Sequence, residues 1–415
     1  MSRIRIREFG PIKKGCLEND GWIDIKKVTV FIGNQGSGKS TVAKLISTFI
    51  WIEKALVRGD YKQKWFEKKG RFARLFLSYH RLENYLKANG ADNSIIEYEG
   101  DAYSTKYEHG SLTIKSNSAQ GYPLPQIMYV PAERNFLTYV KTPKELKLSS
   151  PSLKEFLTEF DNAKNDLKGV KQLPVNNVAI EYDKLNDTLN VKGDGYKIKL
   201  SDASSGFQSL VPLYLVSGYL ANSVKIQSES SSEPMSSDEM HRFKKGVEEI
   251  WGNESLTDEQ KRVALSVLSS KFNKTAFVNI VEEPEQNLFP ASQWQILQSL
   301  LGFNGMNAGN KLIMTTHSPY IINYLSIAIQ GKYLEGLLMQ SPKKGELLPK
   351  LYKLIPEQAL LSRDSVVVFQ LDEADGVITK LASVDGIPSD RNYLNDMLAE
   401  GNQLFDALLE VEQEL

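Results

Sequence analysis

The sequence predicts an α/β fold in which a largely parallel sheet presents a phosphate-binding loop. Three observations predict it. The stretch Phe31-Ile-Gly-Asn-Gln-Gly-Ser-Gly-Lys-Ser-Thr41 fits G-x-x-x-x-G-K-[ST], with Gly33, Gly38, Lys39 and Ser40 in the required places. A β-branched apolar run at 27–32 precedes it and helical periodicity from Val42 follows it, giving strand, loop and helix in the order a phosphate cradle needs. Two further apolar runs, 275–281 and 311–316, lead into Glu282-Glu283-Pro284-Glu285 and His317-Ser318-Pro319. Strands buried on both faces and separated by helices imply a parallel sheet with its chemistry at the carboxyl ends.

The loop's residue types follow from its task. Glycines let successive N–H groups turn inward, because a Cβ would block the approach of an anion. The expected binding residues are Gly33, Asn34, Gln35, Gly36, Ser37, Gly38, Lys39, Ser40 and Thr41. The helix that follows aims its positive N-terminal end at the same anion. Lys39 supplies a point charge for the β- and γ-phosphates, and the Ser40 hydroxyl is a hard oxygen ligand suited to Mg²⁺.

At 415 residues the chain has room for a large core or for two lobes sharing one. Its 41% hydrophobic and 24% charged content are ordinary for a globular protein, and a net charge of −1 leaves nucleic-acid or membrane contact to local patches. The single Cys16 excludes an internal disulfide and a multi-cysteine zinc site, fits a reducing compartment, and reads as a small apolar residue beside a strand. No apolar run is long enough to span a membrane, and the Arg/Ile alternation of the N-terminus is strand periodicity, not a secretory segment. A cytoplasmic location with no membrane partner is expected.

The elements follow in order. Residues 3–9 alternate Ile4 and Ile6 inward with arginines outward, and Gly10-Pro11 turns the chain. A strand is expected at 21–26, and the helix after the loop runs to about Val57, stopping near Arg58-Gly59. Residues 60–88 carry Lys62, Lys64, Lys68, Lys69, Arg71 and Arg74 among aromatics. Phe72, Leu75, Phe76 and Tyr79 have helical spacing and predict one buried face. The basic face can grip a nucleic-acid backbone, but a solvated cationic face over a core stripe is the commoner arrangement. Short antiparallel strands are expected over 95–116, then a core strand at 126–130 stopped by Pro131. Thr142-Pro143-Lys144-Glu145 and Ser152-Leu-Lys-Glu155 read as capping boxes opening two helices of an inserted lobe. Strands return over 176–200, and Ala203-Ser-Ser-Gly-Phe-Gln-Ser-Leu210 leads into a helix to about Asn222. Residues 227–239 read as a polar connector, and Thr257-Asp-Glu-Gln260 as a capping box. A last strand at 365–371 and an acidic helix from 394 to 415 complete the chain.

The carboxylates and the histidine complete a constellation. Glu282 can hold Mg²⁺ directly or through water. Glu283, one residue on, points elsewhere, toward an attacking water, and His317 can sense a γ-phosphate. With Ser204-Ser-Gly-Phe-Gln208, these motifs resemble the ABC-class ATPases grouped with RecF and the SMC heads, and most closely the ATPase half of the overcoming-lysogenization-defect (OLD) proteins. The resemblance spans most of 1–325. It implies an ABC-ATPase head: a P-loop NTPase with a mixed sheet core, an antiparallel β subdomain and an inserted helical lobe. It implies ATP and Mg²⁺ as ligands, Glu282 as the Walker B acid, Glu283 as catalytic base, Glu285-Gln-Asn-Leu288 as D-loop and His317 as switch histidine. Ser205 and Gly206 would cap the nucleotide on a partner copy, giving a homodimer or higher homo-oligomer. Three departures stand out: Phe207 replaces a signature glycine, Glu282 replaces the commoner aspartate, and Ala132 stands where the Q-loop glutamine is expected, followed by Glu133-Arg134. The expected divisions are 1–141 for the N-terminal lobe, 142–175 for the helical insertion, 176–325 for the signature, Walker B and switch lobe, and 326–415 for a C-terminal extension.

The resemblance to PARIS and Septu ATPase subunits implies an anti-phage role with a separately encoded nuclease effector and a DNA or phage-protein trigger. A RecF-like repair ATPase using the 60–74 basic stretch is the alternative, and a slowly hydrolysing nucleotide-locked scaffold is a third reading. Asp372-Glu-Ala-Asp-Gly376 reads as a hairpin turn, not a nuclease cluster. No heptad run is long enough for an SMC rod.

Overall fold

Uninterrupted runs of Val, Ile, Leu and Phe have no polar face to offer water, so they are stable only when covered on both sides. The computed structural model describes residues 2–90, 92–117, 122–139, 150–230, 237–270 and 274–413. In it these runs form a seven-stranded sheet: β1 (Gly15–Cys16), β2 (Val28–Gly33), β3 (Pro125–Val130), β4 (Ala276–Glu282), β5 (Lys311–Thr316), β6 (Val366–Asp372) and β7 (Val377–Lys380). The order is β1-β7-β6-β2-β5-β4-β3. Strands β6, β2, β5, β4 and β3 run parallel, β7 turns back on β6, and β1 pairs with β7. This is the α/β P-loop fold with a mixed sheet that the sequence predicts.

Helices α1 (Lys39–Arg58), α2 (Pro151–Asp166), α3 (Ser205–Ser230), α4 (Ser237–Gly252), α5 (Asp258–Ser270), α6 (Pro290–Gly305) and α7 (Pro319–Met339) contribute to the cores on the two faces, while α8 (Lys344–Leu354) packs on α7 and α9 (Tyr393–Gln413) buries no residue. Alternate residues of β2 divide between two cores. Val28, Val30 and Ile32 pack with α2, α3, α6 and α7, while Phe31 packs with α1 and an antiparallel sheet. That five-stranded sheet has the order Trp22–Asp24, Arg3–Arg7, Ile95–Glu99, Tyr103–Glu108, Ser111–Ser116. Ile4 and Ile6 are buried, and Arg3 and Arg5 pair with Glu99 and Glu97. Buried Glu53 of α1 accepts from Tyr98 Oη and from the N–H groups of Ala102 and Tyr103, tying the loop's helix to this sheet. Gly59, in the left-handed region, closes α1 where the sequence stops it.

Several expectations are refined. Helix α2 is capped by Ser150, whose side chain accepts from the Leu153 N–H with Pro151 in the first turn; Ser152 is already helical. The first capping box, at Thr142, lies outside the described residues. Helix α3 runs to Ser230, past Asn222, because Val224 still buries against the core; of the expected connector, 231–236 lie outside the described residues. Thr257 and Gln260 form the reciprocal capping box at α5. Phe72–Leu77 is wound as a π-helix, with Phe72 and Phe76 buried and Leu75 and Tyr79 half-buried. Val170–Gln172, not anticipated, adds an edge strand to Ala179–Asp183, Thr188–Gly193 and Tyr196–Lys199. Burial pushes the Cys16 thiol up to about 11, which leaves it unreactive. Among the described residues no helix is long and apolar enough to cross a membrane.

Ile313 is fully buried in β5, beside the phosphate strand and within the core shared with α1. Ile313→Ala is expected to destabilise the fold by about 2–5 kcal/mol in urea unfolding; an unshifted midpoint would contradict this packing.

Candidate active site

Strand register decides what meets at the carboxyl edge of the sheet. Thr316 pairs with Ile32 and Glu282 with Thr315, so Gly33, His317 and Glu283 leave the sheet side by side. Gly33 has φ +146°, and a Cβ there would stand 2.3 Å from the Leu371 carbonyl oxygen of β6. Gly38, at φ +100°, starts α1. Lys39, 6% exposed, turns back so that Nζ donates to the carbonyls of Gly33 (2.9 Å) and Asn34 (2.7 Å). Burial pushes its pKa down to about 8, opposed by Glu283, Glu285, Glu373 and Glu282. Asn34 donates through Nδ2 to Glu373 in the turn after β6 (2.6 Å) and accepts from the Gln35 N–H. Ser37 is buried, Ser40 half-buried and Thr41 buried.

Glu282 is the buried last residue of β4. Its Oε2 accepts from the Ala132 N–H at 3.2 Å, and its Oε1 lies 4.0 Å from Lys44 Nζ of α1. The Ala132 N–H thus ties the turn after β3 to the end of β4. Glu283 sits at φ +46°, a left-handed conformation uncommon for a non-glycine residue and frequent at functional sites. Its N–H donates to the Thr315 carbonyl, and its Oε1 lies 3.7 Å from His317 Nε2. Burial first, then the Glu282 charge, raises the Glu283 carboxyl above its ordinary range. Burial first, then Lys39, lowers His317, so the imidazole is neutral at pH 7. Glu285 accepts from the His317 N–H at 2.7 Å and fixes that turn.

Arg134, fully buried, holds this arrangement together. Its Nε donates to the Ser209 carbonyl (3.0 Å), Nη1 to those of Pro131 (3.2 Å) and Glu282 (2.7 Å), and Nη2 to that of Glu283 (2.6 Å). Burial lowers it to about 10, so it stays charged at neutral pH. Ser204 and Ser205 are exposed at the start of α3. Gly206 backs onto the Asn287 carbonyl oxygen, 2.9 Å from where a Cβ would sit, and Asn287 donates to Ser209 Oγ.

The structure thus gathers the phosphate loop, Lys39, Glu282, Glu283 and His317 at one edge. Gly206 packs with Asn287 instead, and none of these hydrogen bonds links Ser205 or Gly206 to the loop. Sequence reasoning missed Arg134 as a clamp and Glu373 as a brace for Asn34. The Glu133-Arg134 pair directly after Pro131 was the available signal for the first; nothing marked the second.

The residues fit a phosphate ligand. Ser37 Oγ is buried with no hydrogen-bond partner, an ammonium is held only by main-chain carbonyls, and no atom lies within 4 Å of a Cβ position at Gly36. Among the described residues no three His, Cys, Asp or Glu are grouped to hold a metal. A divalent ion here would take Ser40 and Glu282 and complete its shell with phosphate oxygens and water, as Mg²⁺ commonly does.

No family model matches the chain, and no curated protein matches it. Among solved structures it is similar to an SMC head bound to the C-winged helix domain of ScpA, at 9% identity and TM-score 0.35, covering 91% of this chain and 96% of that one. It is also similar to the SMC head domain from Thermotoga maritima, at 10% identity and TM-score 0.33, covering 92% and 98%. A dimeric ATP-binding cassette in a post-hydrolysis state bound to ADP and Pi is similar at 11% identity and TM-score 0.25, covering 92% and 100%. The fold reading rests on the strand order and loop geometry above, not on these distant likenesses.

Removing the clamp leaves several buried carbonyls without donors. Arg134→Met is expected to cost at least about 3 kcal/mol in denaturant unfolding, with Arg134→Lys recovering only part, because one ammonium cannot reach all four carbonyls. A Met variant as stable as the parent would rule out the clamp.

Proposed function

We propose that the chain binds ATP on the loop Gly33–Thr41 and hydrolyses it in a cleft shared by two copies. The observation that carries this is the meeting of Lys39, Glu283 and neutral His317 at the carboxyl edge of the parallel sheet. Lys39 leaves its carbonyl partners for the β- and γ-phosphates. Glu283, made more basic by burial and by Glu282, orients a water and takes its proton as the oxygen bonds to the γ-phosphorus and the bond to the β–γ bridging oxygen breaks. His317 donates its ring N–H to the γ-phosphate while Glu285 keeps its backbone in place. Mg²⁺, when bound at Ser40 and Glu282, screens phosphate charge. Ser205 and Gly206 act in trans: an exposed Ser205 and a half-buried Gly206 at a helix N-terminus suit a γ-phosphate on another copy. Hydrolysis then releases the pair.

Beyond the ATPase, the resemblance to PARIS and Septu subunits supports an anti-phage sensor that controls a separate nuclease. Asp372, Glu373 and Asp375 lie in a turn, with the Asp375 N–H donating to Asp372 Oδ1. Purification from the native operon tests this reading: a nuclease travelling with the chain supports it, and a chain that purifies with full DNA-cleaving activity of its own contradicts it. One observation favours the RecF-like alternative. Lys62, Lys64, Lys68 and Lys69 are all exposed. Their joint substitution by Ala should abolish DNA affinity, and its steep salt dependence, if that reading holds; unchanged affinity removes it.

Glu283→Gln is expected to keep ATP binding and accumulate an ATP-bound dimer, and Lys39→Ala to lose binding, both read by nucleotide binding and light scattering. Turnover of Glu283→Gln at the parent rate would overturn the assignment of the base. ATP affinity is expected to fall as pH rises through about 8, because the free site then loses the Lys39 proton that the bound anion favours. Calorimetry in buffers of different ionisation enthalpy should show proton uptake on binding near that pH.

A further inference from the structure

Helix α9 leaves the body at the rim of the cleft: the Tyr393 N–H donates to Gln370 Oε1 on β6. From there it has no buried residue. Met397, Leu404, Leu408 and Val411 recur at seven-, four- and three-residue spacing, with Phe405 beside them, and all are more than half exposed. An apolar seam of that period is built to pack against another helix. The flanks are acidic: Asp396, Glu400, Asp406, Glu410 and Glu412, with no lysine or arginine between Tyr393 and Gln413. Glu410 and Glu412 stand at the negative end of the helix dipole, where cations are favoured. Two such helices side by side would set acid against acid, so α9 is not suited to pair with itself.

The complement is present elsewhere on the same chain. Helix α7 exposes Tyr320, Ile327, Leu334 and Leu337, a stripe of the same period. At about 1.5 Å rise per residue, both stripes span roughly 20–25 Å. The end of α7 runs into exposed Lys343, Lys344, Lys350 and Lys353, of which Lys350 pairs with Glu346 one turn earlier at 2.6 Å. Helices α7 and α8 are locked together through Leu338, Leu348 and Leu351 and through Tyr352 Oη donating to Glu335, so the lysines are held at the C-terminal end of the stripe. Parallel packing of α9 on α7 would bring Asp406, Glu410 and Glu412 to those lysines. Helix α9 does not cover this surface in its own chain.

We propose that α9 of one copy docks on the α7–α8 hairpin of a second copy, giving a nucleotide-independent self-association separate from the ATP-shared cleft. Matched apolar stripes supply the contact and opposite charges set the register. Sedimentation velocity on the full chain without nucleotide tests this, so its failure leaves the ATP reading untouched. The parent is expected to self-associate. Asp406→Lys with Glu410→Lys and Glu412→Lys, or Lys343→Glu with Lys344→Glu, Lys350→Glu and Lys353→Glu, should each weaken association about tenfold or more at low salt. Mixing the two folded variants, checked by circular dichroism, should restore association through the interface that now pairs reversed charges. A parent that is monomeric at every concentration, a reversal that changes nothing, or a mixture that stays monomeric would each overturn the proposal.

Discussion

One buried guanidinium holds the cleft in shape. Arg134 reaches three segments that are distant in sequence: the turn after β3, the end of β4 and the first turns of α3. It meets only main-chain carbonyls, so what it fixes is backbone, not side-chain chemistry. A charge so deeply placed is tolerated because each N–H finds an acceptor and because Glu282, Glu283 and Glu285 lie near enough to favour its charged form. The unusual backbone at Glu283 can persist because this bond and the Glu283 N–H to Thr315 carbonyl bond hold both of its sides.

Charge is the second constraint. Glu282, Glu283, Glu285 and Glu373 all act on a single ammonium, Lys39. A triphosphate entering such a place meets like charge, and only accompanying cations make its arrival favourable. That logic, more than any single ligand, is why the proposed reaction calls for Mg²⁺. It also separates the roles of the adjacent acids: Glu282 is buried against the Ala132 N–H, whereas Glu283 is half-buried and faces His317.

Much of this was readable from the chain. The phosphate loop declares itself because its glycines must adopt conformations other residues avoid, and the buried strands because unbroken apolar runs admit no other solution. Helix ends were legible where a capping residue competes alone, as at Gly59 or Thr257, and misread where two serines compete: Ser150 wins over Ser152 because Pro151 between them fits the first helical position. What stayed hidden depends on three-dimensional convergence. Nothing in the local pattern around Arg134 says that its donors will find the carbonyls of Ser209 and Glu283, and a turn glutamate such as Glu373 looks like any solvated acid until the fold sets it against Asn34.

The posture of Lys39 makes ligand entry an exchange. Two peptide oxygens already accept from the ammonium, so an incoming anion must outcompete them. Weakly charged oxyanions would gain too little over those internal acceptors to displace them, whereas a polyphosphate engaging the loop at several points would. A resting cleft arranged this way would favour anions that grip the loop along its length over free phosphate.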